Sequence, residues 1–346
     1  MTKAFRLGIF IGRFQPFHHG HEQMVRTALA QAEQLLILLG SANTPRSLKN
    51  PFSLEEREEM IRATLPAEQS RLHFAPLDDY PYDDHSWMLH VQTQVQGIAQ
   101  CLNVAQEEIA LIGHQKDASS FYLSLFPQWR YIALPNFDGI SATPIRQVFF
   151  AQDAEAALAA DVPLKAPARE LLQRFRQSAH FANLHEEYQQ IQQEKALWAQ
   201  IPYPVNLATV DAMIVHRGRI LLVERGNPPG KGLLALPGGF LETHETGFEG
   251  CLRELREETG LGVNPQAWRH FLRHRGIYDA PGRSARGRII TQVFYFRIPD
   301  DIDLPSPLGT DDAAQALWQD VQSLDARCFH DDHFHIIRDI LSKTAD

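Results

Sequence analysis

Cysteine is scarce in this sequence. Cys101, Cys251 and Cys328 are the only three in 346 residues, and no two form a CxxC pair. Thiols so far apart suit a reducing compartment and are expected to be buried and inert. Basic charge is also short, with 33 Lys and Arg against 42 Asp and Glu, a formal net charge of −9. A general binder of nucleic acid or of a membrane surface needs the opposite balance, so neither partner is expected. Phosphate handled by such a chain must be met by local groups or by metal ions. No stretch approaches the roughly 18 consecutive apolar residues of a membrane span. The first apolar run is broken by Arg6 and Arg13 and does not read as a signal peptide, so a cytoplasmic protein is expected. Internal repeats and low-complexity segments are absent as well.

What is present is ordinary globular material, 44% hydrophobic and 22% charged. The length exceeds what one hydrophobic core usually serves, so two domains are expected. RLGIFIG (6–12) reads as a buried strand, the segment after RFQPFHHG carries Met24, Val25, Ala28, Leu29 and Ala32 at helical spacing, and LLILLG (35–40) reads as a second strand. A βαβ unit of this kind predicts a doubly wound, Rossmann-like parallel sheet. A helix over 53–64, a strand at LHFAPL, a helix around 87–102 and strands at IALIG and RYIALP continue the alternation, and 151–181 reads as helix. Residues 184–201 are Gln- and Glu-rich and end at IPYP, which predicts a helical linker between a first domain, 1–183, and a second, 202–346. The second domain opens on a β-hairpin turning near Arg217 and Gly218, has one strong helix over 247–259 and a strand at IITQVFYFRI, and closes on a helix from about Asp332.

Two stretches carry chemistry. In the first, GRFQPFHHGH (12–21), Gly12 follows the strand and permits a tight turn, and a helix begins near His19. The free N–H groups and positive partial charge of a helix start bind phosphate. His18 and His21, three apart, lie on one face of the first turn, where two imidazoles can donate to phosphate oxygens and stabilise the charge of a phosphoryl-transfer transition state.

This stretch resembles the HxGH nucleotidyltransferases, and among them the archaeal-type nicotinamide mononucleotide adenylyltransferases. ISATPIR (140–146) looks like the ISxTxxR motif of that family, and GSANT (40–44) and KNPFS (49–53) resemble its second-strand loop, in the same order along the chain. The resemblance covers about residues 3–146. It implies that ATP and nicotinamide mononucleotide (NMN) are substrates and that the 5′-phosphate attacks the α-phosphorus of ATP. Binding positions carried over from it are Gly12, Arg13, Phe14, Ser41, Asn43, Trp87, Ser141, Thr143 and Arg146, with His18, His21 and Arg146 catalytic and Trp87 stacked on the nicotinamide ring. Two histidines that merely cap a helix, and a Trp87 that is simply core, are the alternative readings.

The second stretch, GFLETHETGFEGCLRELREETGL (239–261), fits the Nudix box GX5EX7REUXEEXGU at every fixed position. Glu254, Glu257 and Glu258 fall at i, i+3 and i+4, so one helix face carries three carboxylates that repel unless cations sit between them. Hard oxygen donors of this kind suit Mg²⁺ or Mn²⁺ bridging a diphosphate. Phe248, Cys251, Leu252 and Leu255 form the opposite, core-facing stripe. The family resemblance implies that Glu254, Glu257 and Glu258 hold metal, that Glu257 and Glu258 are catalytic, and that Gly239, Glu245, Arg253 and Gly260 shape the loop and helix. It also implies a C-terminal α/β/α sandwich and attack of water on a nucleoside diphosphate derivative. RGIYDAPGRSARGRIITQVFYF and FHDDHFHII look like ADP-ribose-directed Nudix proteins, with Arg283, Arg286 and Arg288 either on the substrate or in a solvated loop. Asp311 and Asp312, in GTDDAAQALW, are candidates for a general base; two adjacent acids before a helix also read as ordinary N-caps. The HDDHFH run tempts a metal assignment, but an Asp331 or Asp332 cap on the last helix is the preferred reading.

Together these readings predict a bifunctional enzyme that makes NAD from NMN and ATP and hydrolyses ADP-ribose to AMP and ribose 5-phosphate, with Mg²⁺ or Mn²⁺ at both sites, and leave room for a homo-oligomer. Competing readings are a Nudix half acting on another nucleoside diphosphate derivative, and a non-catalytic ADP-ribose sensor. Only 85 residues follow Leu261 and these are needed to finish the Nudix fold, which disfavours a regulator with its own DNA-binding domain.

Overall fold

The computed structural model describes residues 3–113, 123–135, 139–151, 162–262, 264–309 and 313–344. The chain divides into two compact units, Met1–His185 and Glu186–Asp346.

In the first unit, strands β1 (Phe5–Gly12), β2 (Ala32–Gly40), β3 (Leu72–Leu77), β4 (Ile109–Gly113) and β5 (Arg130–Ala133) form one sheet in the order β3-β2-β1-β4-β5, with every neighbouring pair parallel. Helices α1 (His19–Gln31), α2 (Leu54–Thr64) and α3 (Asp84–Cys101) alternate with the strands, and α4 (Ala142–Phe150) and α5 (Ala166–Arg176) follow. This is the expected doubly wound sheet. Its central strands are apolar because they are covered on both faces: Leu35 to Leu39 are wholly buried, and so are Leu7 and Ile9 of β1. Strand order reverses at β1, whose neighbours are β2 and β4. A crevice therefore opens beyond its carboxyl end at Gly12, where open α/β sheets bind ligands.

Helix α6 (Ala179–Trp198) covers most of the segment read as a linker, and from Glu186 its residues belong to the second unit. There, β6 (Asn206–His216), β7 (Arg219–Arg225), β10 (Leu272–Tyr278), β11 (Arg288–Ile298) and β12 (Ala313–Asp320) run in the order β10-β11-β6-β7-β12. The short strands β8 (Leu234–Ala235) and β9 (Gly238–Phe240) pair with β7 and β6. Only β6 and β11 are parallel. The β6–β7 hairpin turns where expected, with Arg217 and Gly218 both at positive φ (48° and 72°), as a two-residue hairpin demands.

Alternation along β6 sorts its two faces. Val210, Ala212 and Ile214 pack with Cys251, Leu252 and Leu255 of α7 (Gly247–Thr259) and with Trp268 of α8 (Pro265–Phe271). Asp211, on the other face, feels the charge of His333 at the start of α9 (His333–Lys343). The sheet thus lies between α7 and α9. Strand β10 escapes the sequence reading because it shows no clean apolar alternation, and β12 is a correction: the segment after Asp312 reads as a helix start but pairs with β7 as an antiparallel strand.

The thiols do not all behave as expected. Cys251 is buried in this core, whereas Cys101 at the end of α3 and Cys328 before α9 are exposed, because each sits on the solvent side of its turn.

Candidate active sites

The HxGH segment lies where β1 ends and α1 begins. His18 is the N-cap of α1, with extended backbone, and the cap is built from two imidazoles. His21 N–H donates to Nδ1 of His18 and His18 N–H donates to Nδ1 of His21, each at 3.4 Å. The rings stack with centroids 3.6 Å apart and planes at 20°. An Nδ1 that accepts carries no proton, so each neutral ring holds its proton on Nε2 and offers an N–H donor there. The capping reading of these histidines holds, and the cap fixes the tautomer.

Three motifs converge on this turn. Arg146, on α4, donates from Nη1 to the carbonyl of Gln15 at 2.7 Å and from Nε to that of Leu48 at 3.1 Å, and its Nη2 donates to Thr143 Oγ1 at 3.3 Å. Gln15 in turn clamps Phe52, donating to its carbonyl and accepting from its N–H, both at 2.9 Å. Burial and the nearby Arg13 lower Arg146 to about 10. Two cations held close suit a polyanion, although the Asp79 carboxylate also acts on Arg13.

Arg57 went unnoticed within an Arg- and Glu-rich helix. It is 1% exposed and donates to the carbonyls of Arg13 (3.0 Å), Gly40 (2.6 Å), Ser41 (3.4 Å) and Ser53 (3.1 Å), so it pins the ends of β1 and β2 to α2. Burial pushes its guanidinium down to about 10, partly offset by Asp79.

The other expected binding positions are distributed as follows. Phe14 does not present its ring to a ligand: it is 1% exposed, at a positive φ of 53°, packed under Gly12 and between Phe10, Phe17 and His21. A ring that apolar has more to gain in the core, which leaves the backbone of Phe14 at the turn. Ser41 is buried at a left-handed φ of 51° where β2 ends. Asn43 is exposed and donates to Asp78 at 2.7 Å. Ser141 sits at the N-cap of α4 without spending its hydroxyl on the cap. Trp87 on α3 is half-buried, its ring 5.9 Å from that of Phe126.

The Nudix box spans β9, a turn and α7. Thr246 and Glu249 form a capping box at the start of α7, and Gly260 ends it in the left-handed region (φ 65°) that a side chain would strain. Arg253 is the hub. It holds Glu245 through two hydrogen bonds of 3.0 and 2.8 Å, reaches Glu254 at 2.9 Å and Glu257 at 2.8 Å, and donates to the Phe240 carbonyl at 3.1 Å. Its bonds to Glu245 lead the causes that hold it above the ordinary arginine range and keep Glu245 below the usual carboxylate range. Glu258 accepts from the Gly238 N–H at 2.8 Å, yet burial pushes its carboxyl up to about 8; burial also raises Glu254. A Cβ on Gly239 would lie 2.4 Å from an oxygen of Glu254, so the box glycine makes room for that carboxylate.

These carboxylates line a cleft of about 620 Å³ that also reaches Asp211, Arg286 and His330. Among the described residues no three His, Cys, Asp or Glu side chains converge closely enough to grip a cation as they stand, since Arg253 occupies Glu254 and Glu257. The donor set nevertheless suits a hard divalent ion. Three carboxylates share a face, burial raises two of them, Glu258 and Glu254, and a nearby cation is what favours the charged form of such groups.

The HDDHFH run departs from its expected role. Asp332 stands at the N-cap of α9 but makes no cap bond; its carboxylate takes two hydrogen bonds from Arg283, at 2.9 and 2.7 Å, in a buried pair. Arg283 is thus committed within the protein. His330, Asp331 and His333 line the cleft, and His333 Nδ1 accepts from the Leu236 N–H at 3.1 Å. Arg288 turns to Asp279. Asp311 and Asp312 lie outside the described residues.

The fold and these two sites define the class: a nucleotidyltransferase unit of the HxGH type joined to a Nudix unit. Comparison agrees, with Cytidylyltransferase-like matching residues 9–148 and NUDIX domain matching 206–340. The nicotinamide/nicotinic acid mononucleotide adenylyltransferase of Acinetobacter baylyi is 44% identical over 144 residues, 41% of this chain and 74% of that protein. The ADP-ribose pyrophosphatase of Methanocaldococcus jannaschii is 40% identical over 132 residues, 38% of this chain and 71% of that protein. Across both units, the crystal structure of a bifunctional NMN adenylyltransferase/ADP ribose pyrophosphatase from Francisella tularensis matches with a TM-score of 0.90 and 33% identity, covering 99% of this chain and 100% of that one; it is also known complexed with AMP and an Mn ion. The chain belongs to this family of bifunctional NMN adenylyltransferase/ADP ribose pyrophosphatases.

Proposed function

We propose that the first unit transfers the adenylyl group of ATP to NMN and the second hydrolyses ADP-ribose. The observation that carries the first assignment is the convergence of three motifs through Arg146 and Gln15 on the stacked histidine cap. In the reaction an oxygen of the NMN 5′-phosphate forms a bond to the α-phosphorus of ATP, the bond to the β-phosphate bridge breaks, and pyrophosphate leaves with Mg²⁺ as part of the nucleotide substrate. His18 and His21 donate from Nε2 to phosphate oxygens. Arg13 and Arg146 take up the charge gathering on the leaving pyrophosphate, with Ser141, Thr143 and the backbone about Gly12, Phe14 and Ser41 completing the cradle, Asn43 at its rim and Trp87 beside the nicotinamide ring. Position and charge suffice, and no protein nucleophile is needed.

In the second unit Glu254, Glu257 and Glu258 are the residues to hold Mg²⁺ or Mn²⁺, which supplies charge for the diphosphate and acidifies water. Arg253 holds Glu254 and Glu257 in place beside one another, and Glu245 keeps Arg253 oriented. Water adds to one phosphorus, the bridging P–O bond breaks, and AMP and ribose 5-phosphate separate. Intact carboxylates favour turnover over sensing. Three unpaired thiols and an acidic surface support a cytoplasmic enzyme of small nucleotides, and no helix among the described residues is long and apolar enough to cross a membrane.

Incubation with NMN, ATP and Mg²⁺ is expected to yield NAD and pyrophosphate, and incubation with ADP-ribose and Mg²⁺ to yield AMP and ribose 5-phosphate. Absence of NAD removes the first assignment. Binding of ADP-ribose without AMP release replaces the second with the sensor reading.

A further inference from the structure

The sequence reads helix α6 as a linker, but its second half brings one residue to the Nudix cleft and ties others to the loops around it. Gln190 lines that cleft. One turn on, at i+4, Glu194 accepts from Arg286 Nε at 2.8 Å, and one turn back Glu187 accepts from the Gly230 N–H at 2.7 Å. Residues 187, 190 and 194 share a helix face by their spacing, so one face of α6 is committed to this unit. Arg286 in turn lies over the Phe240 ring, 4.8 Å from its centroid, and both line the cleft. Phe240 follows the box glycine Gly239, and Arg253 holds its carbonyl. The stack is therefore built directly onto the catalytic turn.

We infer that this face of α6 is the specificity wall of the Nudix site: Glu194 fixes Arg286 on Phe240 so that the guanidinium plane receives the base of a nucleoside diphosphate substrate, and the Gln190 carboxamide reads the nucleoside. The box carboxylates claim the metal-bound diphosphate, which leaves the flat guanidinium–aromatic surface for the flat part of the substrate. A guanidinium bonded through Nε to a carboxylate is fixed in plane, and a fixed plane stacks without further loss of side-chain freedom. Gln190 and Glu194 are positioning and specificity residues, since neither approaches the box carboxylates in the contacts described. This inference rests on the hydrolase reading of the second unit.

The test uses the full chain and four variants, Gln190→Ala, Glu194→Ala, Glu194→Gln and Glu257→Gln, assayed on ADP-ribose or, if that is not turned over, on the nucleoside diphosphate derivative the wild type hydrolyses fastest. Both alanine variants are expected to raise KM about tenfold with kcat within about twofold, as loss of binding shared by ground and transition states does. Inhibition of hydrolysis by AMP should weaken in parallel, while inhibition by ribose 5-phosphate stays unchanged. Glu194→Gln, which keeps an acceptor for Arg286, should recover most of the loss; the retained kcat reports a folded second unit, and unaltered adenylyl transfer a folded first unit. Unchanged KM and AMP inhibition in both alanine variants overturns the inference, as does a fall in kcat alone or a weakening toward ribose 5-phosphate instead. A wild type that hydrolyses nothing while Glu257→Gln behaves identically overturns the hydrolase reading itself.

Discussion

Single side chains in this protein act by holding others. Arg57 touches no motif in sequence, yet its four carbonyl acceptors are the loop ends that frame the nucleotide crevice. Arg57→Met fills a similar volume but takes this donor from the Arg13 and Gly40 carbonyls, each costing about 1–3 kcal/mol, while Ser41 and Ser53 keep a second donor. The first unit should melt several degrees lower in calorimetry, and adenylyl transfer should fall with it. An unchanged melting temperature contradicts the clamp. His21 differs in kind, since its proposed role is to donate to the reacting phosphates. His21→Ala is expected to lower kcat for NAD formation by about 10²–10³, the usual effect of removing one preorganised donor. The glutamate–arginine pair of the box repeats the theme: Glu245 touches Arg253, and Arg253 touches Glu254 and Glu257.

Helix α7 shows how one element serves core and chemistry at once. Its buried stripe docks on β6 and β11 through Cys251, Leu252 and Leu255, and the polar face holds the carboxylates. Glu258 lies nearest the stripe and bears the cost of burial, with a carboxyl at about 8. Near pH 7 it holds a proton, which a divalent cation bound there, as proposed, would displace. Mg²⁺ binding is therefore expected to release close to one proton, measurable by calorimetry in buffers of different ionisation enthalpy, and to weaken as pH falls below about 8. Because the folded value exceeds that of an unfolded glutamate, the stabilising contribution of this group is complete at acid pH and is lost as pH rises through about 8. Metal-free protein should show this loss, and Glu258→Gln should flatten it. A release that persists in Glu258→Gln places the proton elsewhere. At the end of the same helix, Gly260→Ala forces a side chain into a φ of 65° and should destabilise the second unit by about 1 kcal/mol.

For the whole molecule, what the sequence makes legible is what is local. The HxGH turn, the start of α4 and the Nudix box each fit within a few helical turns, so spacing alone fixes which side chains share a face. Parallel order in the first sheet follows from the alternation of apolar strands with helices. What stays hidden is long-range partnership. Arg146 meets Gln15 across 131 positions, Arg286 meets Glu194 across 92 and Arg283 meets Asp332 across 49. No periodicity records such pairs, so Arg57 passes for one more charge on a helix and α6 for a linker. Strand β10 goes unread and β12 is misread for a related reason, because their side chains are matched to neighbours that only the folded sheet supplies.

The central claim, one chain with two separate chemistries, is tested most directly by product analysis of the wild type and Glu257→Gln, each given NMN with ATP and, separately, ADP-ribose, in the presence of Mg²⁺. The wild type should form NAD in the first mixture and AMP with ribose 5-phosphate in the second. Glu257→Gln should lose the second reaction by several orders of magnitude and keep the first at its full rate. AMP release that survives the substitution, or loss of both reactions together, would contradict the account.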